Sequence, residues 1–239
     1  MIEKNIYQTF FTKQLPGPVC EIIDKLKQKN PKYTYHFYDD DDMYEFITGN
    51  FDNEIISAFN KLQIGAAKAD FWRYLVLYKN GGIYLDIDSS IDIPIDYLIE
   101  DDDKALFTRE RNPVSFVQFC MFVCKEHPIL KETIELVVQK IHNNTQAELD
   151  YITGPIVLSQ VIEQHYKHLN FDRLLWYTED YVINNKLADH NNINHARFMG
   201  YDYNGFVSFK HSASHLLYEP YMKKTPWKIE QQYLSTVKN

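Results

Sequence analysis

The segment Asn80-Gly81-Gly82 constrains the fold of this chain more than any other feature, because it separates a helical pattern from a short apolar strand. The pattern over residues 64–79 predicts an α-helix, and a glycine such as Gly81 can end a helix in the left-handed conformation. The segment Ile83-Tyr84-Leu85 then predicts a buried strand that runs directly into Asp86. The chain must therefore place a helix beside a strand whose carboxyl end carries acidic side chains.

Alternating strand and helix patterns occupy the rest of the first hundred residues. Strands are predicted over 4–11 and 33–38, and helices over 19–29, 43–48 and 54–62. This order is typical of an α/β domain with a mostly parallel central sheet and helices packed on it. Ligands of such sheets bind beyond the carboxyl ends of the strands. The site is therefore expected after the first strand and at the acidic turn that begins at Asp86.

The second half of the chain shows weaker patterns. Strands are predicted over 105–108 and 116–123, and helices over 128–141 and 155–168, each of which has proline in its first turn. No low-complexity linker or internal repeat divides the sequence. We therefore predict a single domain over 1–239.

Charge and cysteine content exclude several classes of partner. The net charge is −8, from 25 Lys and Arg against 33 Asp and Glu, which argues against a nucleic acid or an anionic membrane as the main partner. The odd set Cys20, Cys120 and Cys124 gives no disulfide framework. The start of the chain lacks a signal-peptide pattern, and no run reaches the ~18 apolar residues of a membrane span. We expect a cytoplasmic protein, compatible with peripheral membrane association; its oligomeric state is left open.

Four polar side chains around the glycine pair predict a catalytic constellation. Asp70 and Arg73 share one face of the predicted helix. Asp86 and Asp88 would point the same way from an extended segment, and two such carboxylates repel each other unless a cation lies between them. Oxygen ligands of this kind suit Mg²⁺ or Mn²⁺ together with phosphate. The alternative is a solvated acidic turn beside a surface ion pair worth under ~1 kcal/mol.

The same stretch resembles the sugar-binding region with the Asp-x-Asp motif of a glycosyltransferase family. That family includes fungal initiating α-1,6-mannosyltransferases and capsular-polysaccharide enzymes, and the stretch is more distantly similar to the catalytic domains of glucosylating clostridial toxins. The shared pattern is Ala-x-x-Asp-x-x-Arg-Tyr followed by Gly-Gly-x-Tyr-x-Asp-x-Asp. Here it consists of Ala67, Asp70, Arg73, Tyr74, Gly81, Gly82, Tyr84, Asp86 and Asp88.

The resemblance implies a GT-A-type, Rossmann-like domain that binds a UDP- or GDP-linked sugar with Mn²⁺ or Mg²⁺. By position, Asp88 would bind the metal directly, and Asp86 would bind the donor ribose and sugar and reach the metal directly or through water. Asp70 and Arg73 would hold the hydroxyls of the donor sugar, and Tyr84 would line the same pocket. The expected reaction moves a hexose or N-acetylhexosamine to a hydroxyl of a glycan, lipid-linked or protein acceptor, with retention of configuration.

Further donor contacts are implied outside the central pattern. Gln8, Thr9 and Phe10 would lie by the nucleotide base, and Gln118 stands where the family often has Asn near the reacting centre. His211 begins a segment, 211–215, that is similar to a lid of the family but lacks its Trp, unless Trp227 replaces it. In this interpretation residues 1–100 form the nucleotide-sugar-binding half, and residues 101–239 form the acceptor side.

Two other functions remain as alternatives. The chain could be a catalytically inactive module that binds a glycan or nucleotide-sugar, although its four polar residues are intact. The segment 83–90 also resembles the nucleophile loop of haloacid-dehalogenase-type phosphatases. That loop normally opens its domain, whereas here it follows some eighty residues.

Other notable residues are given structural roles. The acidic run 39–42 predicts a helix N-cap followed by a solvated face, and 101–103 predicts a plain loop. His127, before Pro128, predicts a helix start. The spacing of Phe116, Phe119 and Phe122 is typical of core residues.

Overall fold

Seven strands form one sheet in the part of the chain that the structure describes. This computed structural model describes residues 1–89, 91, 93–109, 115–143, 147–169, 171, 187–188, 196–200 and 227–238. The strands are β1 (Asn5–Thr9), β2 (Thr34–Tyr38), β3 (Gly82–Leu85), β4 (Ala105–Arg109), β5 (Cys120–Val123), β6 (Leu187–Ala188) and β7 (Ala196–Gly200). The sheet therefore takes strands from both halves of the sequence, while the division of labour between the halves stays a prediction.

Strand direction decides which loops meet at one edge of the sheet. The order is β2-β1-β3-β5-β4-β7-β6. β1 lies parallel to β2 and β3, and β4 lies parallel to β7, whereas β5 is antiparallel to both of its neighbours and β6 is antiparallel to β7. Five of these seven described strands thus run in one direction, because the reversals on either side of β5 cancel. The expected α/β class with a mostly parallel sheet is confirmed.

Helices cover the sheet and form the larger part of the core. The helices are α1 (Gly17–Lys29), α2 (Asp40–Asn50), α3 (Asn53–Lys61), α4 (Gly65–Asn80), α5 (Pro128–His142), α6 (Leu149–Ile152), α7 (Pro155–His165) and α8 (Trp227–Tyr233). α4 contacts α2 and α5, and α5 contacts α3 and α7. Strand β3 separates two apolar clusters, because Tyr84 packs into the helical one while Ile83 and Leu85 pack into the other.

Helix α4 is the central element of the fold. Its residues from Phe71 to Leu77 are all buried, which is the pattern of a helix enclosed by protein on every side. Asp70 and Arg73 are charged side chains within this buried region. Because buried charges are costly unless paired, their positions indicate a purpose beyond packing.

The glycine pair joins α4 to β3 through a turn that other residues cannot make without strain. Gly81 has φ 64° and donates its N–H to the carbonyl of Leu77, and Gly82 has φ 119°. A Cβ at Gly82 would lie 2.6 Å from the backbone oxygen of Asn5 in β1. The expected helix stop is therefore confirmed, and it lets β3 pair closely with β1.

Several structural predictions are confirmed. Asp39 and Asp42 form a reciprocal cap at the start of α2, since each carboxylate accepts a hydrogen bond from the backbone N–H of the other. His127 caps α5 through Nδ1, which accepts from the N–H of Ile129 at 3.2 Å. The aromatic side chains Phe116, Phe119 and Phe122 are buried. In the described part of the chain, no helix is both long and apolar enough to cross a lipid bilayer.

The loop predicted over 101–103 is confirmed, but Asp103 within it has a structural role that the sequence did not indicate. Its carboxylate is fully buried, and both oxygens accept hydrogen bonds from Arg197 of β7. Arg197 also donates from Nη2 to the carbonyl of Leu98 at 2.8 Å. Asp103 is buried because β7 pairs with β4, and this pairing brings together residues 94 positions apart.

Candidate active site

The candidate site lies where the carboxyl ends of β1 and β3 meet the start of β5. Parallel pairing of β1 with β3 puts Gln8 and Asp86 at the same edge, and the amide Nε2 of Gln8 donates to the backbone oxygen of Asp86 at 3.0 Å. Because β5 is antiparallel to β3, residues just before β5 reach this edge too. The backbone N–H of Asp86 accordingly donates to the carbonyl of Phe119 at 2.8 Å.

Arg73 joins the two acidic residues that lie on either side of it. Its Nη2 lies 3.1 Å from Oδ1 of Asp70 and 3.0 Å from Oδ1 of Asp86. The side chains of Asp70 and Arg73 are only 5% and 6% exposed. The alternative of a surface ion pair is therefore wrong, because α4 carries this pair into the protein interior.

Tyr84 of β3 supports the same guanidinium. The Arg73 carbon Cζ lies 4.6 Å from the centre of the Tyr84 ring, a cation–π contact. The hydroxyl of Tyr84 donates to Oδ1 of Asp86 at 2.8 Å. Burial raises the pKa of Tyr84 well above its ordinary value, so the hydroxyl remains a donor. Asp86 is thus held by a positive charge and by a hydroxyl.

Asp70 accepts hydrogen bonds from two further residues, and these lie far away in the sequence. Nε2 of Gln118 donates to its Oδ1 at 2.7 Å, and the hydroxyl of Thr153 donates to its Oδ2 at 3.3 Å. Gln118 lies just before β5, and Thr153 lies between α6 and α7. Three separate parts of the chain therefore fix this one carboxylate.

Asp70 is the buried acid of the site, and its environment raises its pKa. Burial is the largest influence and raises the pKa to about 6, although the positive charge of Arg73 lowers it. The nearby charges of Asp86 and Asp150 raise it, and the hydrogen bond from Gln118 lowers it. Asp70 therefore changes ionisation close to neutral pH, unlike an ordinary aspartate.

The Asp-x-Asp segment is a turn rather than an extended strand. Strand β3 ends at Leu85, and the backbone N–H of Ser89 donates to the carbonyl of Asp86 at 2.9 Å. The expectation that alternation along a strand aligns Asp86 with Asp88 is therefore wrong, because an i to i+3 hydrogen bond closes the chain there. Both residues are half-buried at the edge of the sheet. Among the described residues, no three acidic, histidine or cysteine side chains converge as a ready-made metal cluster.

The residues expected beside the nucleotide base have different environments. The Gln8 side chain is nearly fully buried, and its Oε1 accepts from the Tyr35 hydroxyl at 2.9 Å. Thr9 is buried too, and its hydroxyl donates to the carbonyl of Tyr38 at 2.8 Å. Phe10 is half-buried and is the most accessible of the three. Gln8 and Thr9 therefore hold the edge of the sheet with their side chains.

Two residues of the site have contacts that the sequence does not predict. Tyr74 donates its hydroxyl proton toward Oε1 of Gln118 at 2.5 Å, and Thr153 binds Asp70. Tyr74 belongs to the family pattern and Thr153 lies just before the helix predicted over 155–168, but nothing in the sequence alone assigns either residue its contact in the site. The predicted residue His211 and the segment 211–215 lie outside the described residues.

Comparisons of the sequence with known proteins point to glycosyltransferases. A family model described as "Glycosyltransferase sugar-binding region containing DXD motif" matches residues 16–105. Inositol phosphoceramide mannosyltransferase 3 of Schizosaccharomyces pombe is 29% identical over 160 residues, which cover 66% of this chain and 44% of that protein. The Initiation-specific alpha-1,6-mannosyltransferase of Candida albicans is 26% identical over 158 residues, which cover 55% of this chain and 41% of that protein. The chain spans about half the length of the curated relatives it matches.

Solved structures share the fold at low sequence identity. PaToxG Glycosyltransferase superposes with a TM-score of 0.57 at 22% identity, covering 72% of each chain. The ligand-free glycosyltransferase domain from the YGT toxin gives a TM-score of 0.52 at 10% identity, covering 69% of this chain and 78% of that one. Together with the matching family region, these findings confirm the resemblance to glycosyltransferases with the Asp-x-Asp motif and the GT-A-type fold.

Proposed function

We propose that this chain is a metal-dependent glycosyltransferase that moves a hexose from a UDP- or GDP-sugar to a hydroxyl acceptor, with retention of configuration. The names of the curated relatives favour mannose as the sugar. They also favour an acceptor that is a glycan or the head group of a glycolipid.

The observation that carries the proposal is the bridge that Arg73 makes between Asp70 and Asp86 at the carboxyl edge of the sheet. The burial of Asp70 and Arg73 beside the half-buried Asp86 is costly, and this group lies where ligands of α/β sheets bind. With Asp88 in the adjacent turn, the three acids and one arginine leave a net negative charge when all are ionised. Such a site is suited to a divalent cation that also binds a diphosphate.

The donor set fits a hard divalent cation. Asp86 and Asp88 offer carboxylate oxygens within one turn, and Mg²⁺ or Mn²⁺ commonly takes one or two carboxylates while phosphate and water fill the other positions. By their positions in the family pattern, Asp88 would bind the cation directly, and Asp86 would reach it directly or through water. When bound, the cation would act as a Lewis acid on the diphosphate leaving group.

Asp70 is suited to orient the donor sugar. A carboxylate has about four positions at which it can accept hydrogen bonds, and three donors occupy the Asp70 carboxylate among the described residues. The remaining position can accept one sugar hydroxyl. Because correct orientation supplies a large part of the reduction of a reaction barrier, a carboxylate held this firmly would contribute to catalysis without bonding to the sugar covalently.

The position of segment 83–90 in the chain weighs against the phosphatase alternative. The nucleophile loop of those phosphatases normally opens the domain, whereas here the segment follows some eighty residues. The alternative of an inactive binding module differs from the proposal only in turnover. A measurement of donor cleavage therefore separates these two possibilities.

The test is a donor screen with purified protein. UDP- and GDP-linked hexoses and N-acetylhexosamines are incubated with Mn²⁺, with Mg²⁺ or with EDTA, and the release of nucleoside diphosphate is measured. We expect release from one donor, dependent on the metal, and the anomeric configuration of the sugar product observed first by NMR gives the stereochemistry. Binding of a donor without any release with water or with phosphoinositol and mannoside acceptors would favour the inactive module instead.

A further inference from the structure

We propose that Tyr74 is a positioning residue for Asp70 and acts through the side-chain amide of Gln118. The inference rests on the proposed function, in which Asp70 contacts the donor sugar. It assigns to Tyr74 a role in the reaction although the tyrosine itself touches neither the donor nor the metal.

The hydroxyl of Tyr74 determines the orientation of the Gln118 amide. Tyr74 is fully buried, and its oxygen lies 2.5 Å from Oε1 of Gln118 and 3.2 Å from the carbonyl oxygen of Gly154. A hydroxyl has one proton to donate, and the shorter distance assigns that proton to Gln118. Burial and the charge of Asp70 raise the pKa of Tyr74 well above its ordinary value, so the proton stays in place at neutral pH.

The opposite end of the amide holds the carboxylate. Nε2 of Gln118 lies 2.7 Å from Oδ1 of Asp70 and donates to it. If the amide were turned over, its oxygen would face the ionised carboxylate, and the two groups would repel each other. The Tyr74 hydroxyl donates to the amide oxygen and the Asp70 carboxylate accepts from the amide nitrogen, so only one orientation of the Gln118 amide satisfies both partners.

The hydrogen bonds that run from Tyr74 through Gln118 to Asp70 form a relay, and helix α4 carries both of its ends. Asp70 and Tyr74 are four residues apart and thus on the same face of the helix, while Gln118 closes the relay from the segment before β5. On the other side, Thr153 donates to Oδ2 of Asp70. Both carboxylate oxygens are thereby fixed, and small displacements of groups that orient a substrate can cost large factors in rate.

The test compares two variants that each remove one buried tyrosine hydroxyl. Tyr74→Phe removes the relay hydroxyl and preserves the ring. The matched control is Tyr7→Phe, because Tyr7 is also buried and its hydroxyl bonds to Asn80 at the other end of α4. For Tyr74→Phe we expect kcat/KM for the nucleotide-sugar to fall at least tenfold. The affinity for the bare nucleoside diphosphate with Mn²⁺ should stay within twofold, and Tyr7→Phe should change neither value by more than twofold.

A pH profile and a double variant separate positioning from simple loss of stability. Among the described residues, Arg73, Gln118 and Thr153 contact Asp70, and the charges of Asp86 and Asp150 lie nearby. Because the Gln118 hydrogen bond favours the ionised carboxylate, its release in Tyr74→Phe should move the acid limb of kcat/KM to higher pH. In the double variant that combines Tyr74→Phe with Gln118→Ala, kcat/KM should be at most twofold lower than in Gln118→Ala alone, since both changes break the same relay.

The outcomes distinguish this inference from the proposed function. If the wild type and Tyr7→Phe release nucleotide and Tyr74→Phe does so equally well with the same pH profile, the proposed function stands and the positioning role is wrong. Additive losses in the double variant would likewise contradict the relay. If the wild type cleaves no donor, the proposed function has failed, and the inference fails with it.

Discussion

Arg73 is the residue on which the charges of the site depend, because one guanidinium serves two carboxylates and stacks on Tyr84. A buried ion pair is weak evidence for stability in itself, since its desolvation offsets its attraction. Removing one partner, however, leaves the other charges buried without compensation. The cost of losing Arg73 should therefore be far greater than the cost of losing an exposed cation.

The first prediction concerns that cost. Arg73→Met should lower the free energy of unfolding by about 3–5 kcal/mol, whereas Lys79→Met, at an exposed position of the same helix, should change it by under ~0.5 kcal/mol. Urea unfolding followed by circular dichroism measures both values. A loss below ~1 kcal/mol for Arg73→Met would mean that Asp70 and Asp86 do not depend on the guanidinium.

The second prediction concerns Asp70 and pH. Its folded pKa of about 6 lies above the value near 3.9 expected for an unfolded chain. Between these two values the unfolded chain has lost the Asp70 proton and the folded protein still holds it. The contribution of Asp70 to stability is therefore full below pH ~4 and is lost as the pH rises through ~6.

The measurement is the difference in unfolding free energy between the wild type and Asp70→Asn from about pH 3.5 to about pH 7.5. This range spans the unfolded and the folded pKa of Asp70. Relative to the variant, the wild type should lose stability as the pH rises, with little change above pH ~6.5. A difference that is constant, or that grows in favour of the wild type, would show that the carboxylate has an ordinary or depressed pKa.

At the scale of elements, the sequence predicts most of the first half because its helix ends are marked chemically. The glycines after α4 place its end within one residue of the predicted position, whereas α2 begins at Asp40, three residues before the predicted start, because Asp39 is its cap. The strand predicted over 116–123 is shorter, because only Cys120–Val123 pairs with β3. Phe116 instead bridges Arg109, and Gln118 turns toward Asp70. Hydrophobic periodicity alone does not reveal where the strand begins, since the residues before it and the residues within it are both buried.

The third prediction tests the turn between α4 and β3. Gly82→Ala should lower the free energy of unfolding by more than ~1 kcal/mol, because a Cβ would lie 2.6 Å from the Asn5 carbonyl at φ 119°. A Cβ at Gly49 in α2 would have no neighbouring atom within 4 Å. Gly49→Ala should therefore raise the free energy of unfolding by up to ~1 kcal/mol. The two alanine variants should thus differ in sign. Equal effects would contradict the close approach of β3 to β1.

At the scale of the whole molecule, the reversed strand β5 completes the site. It brings Gln118 to the edge where β1 and β3 end, and α7 begins beside Thr153 at the same place. The four acidic and basic residues of the site were predictable because they lie within one helix–turn–strand unit. Tyr74, Thr153 and the burial of Asp103 were not, because their partners are 44 to 94 residues away.

The most direct measurement of the central claim is calorimetric binding of UDP and GDP with and without Mn²⁺. The wild type should bind one of them at least tenfold more tightly with the metal, and Asp88→Asn should lose that gain while retaining its fold. Asp101→Asn, an exposed control at the opposite edge of the sheet, should bind as the wild type does. Binding that is equally tight with and without Mn²⁺ in the wild type, or an undiminished metal effect in Asp88→Asn, would contradict a metal-dependent Asp-x-Asp site.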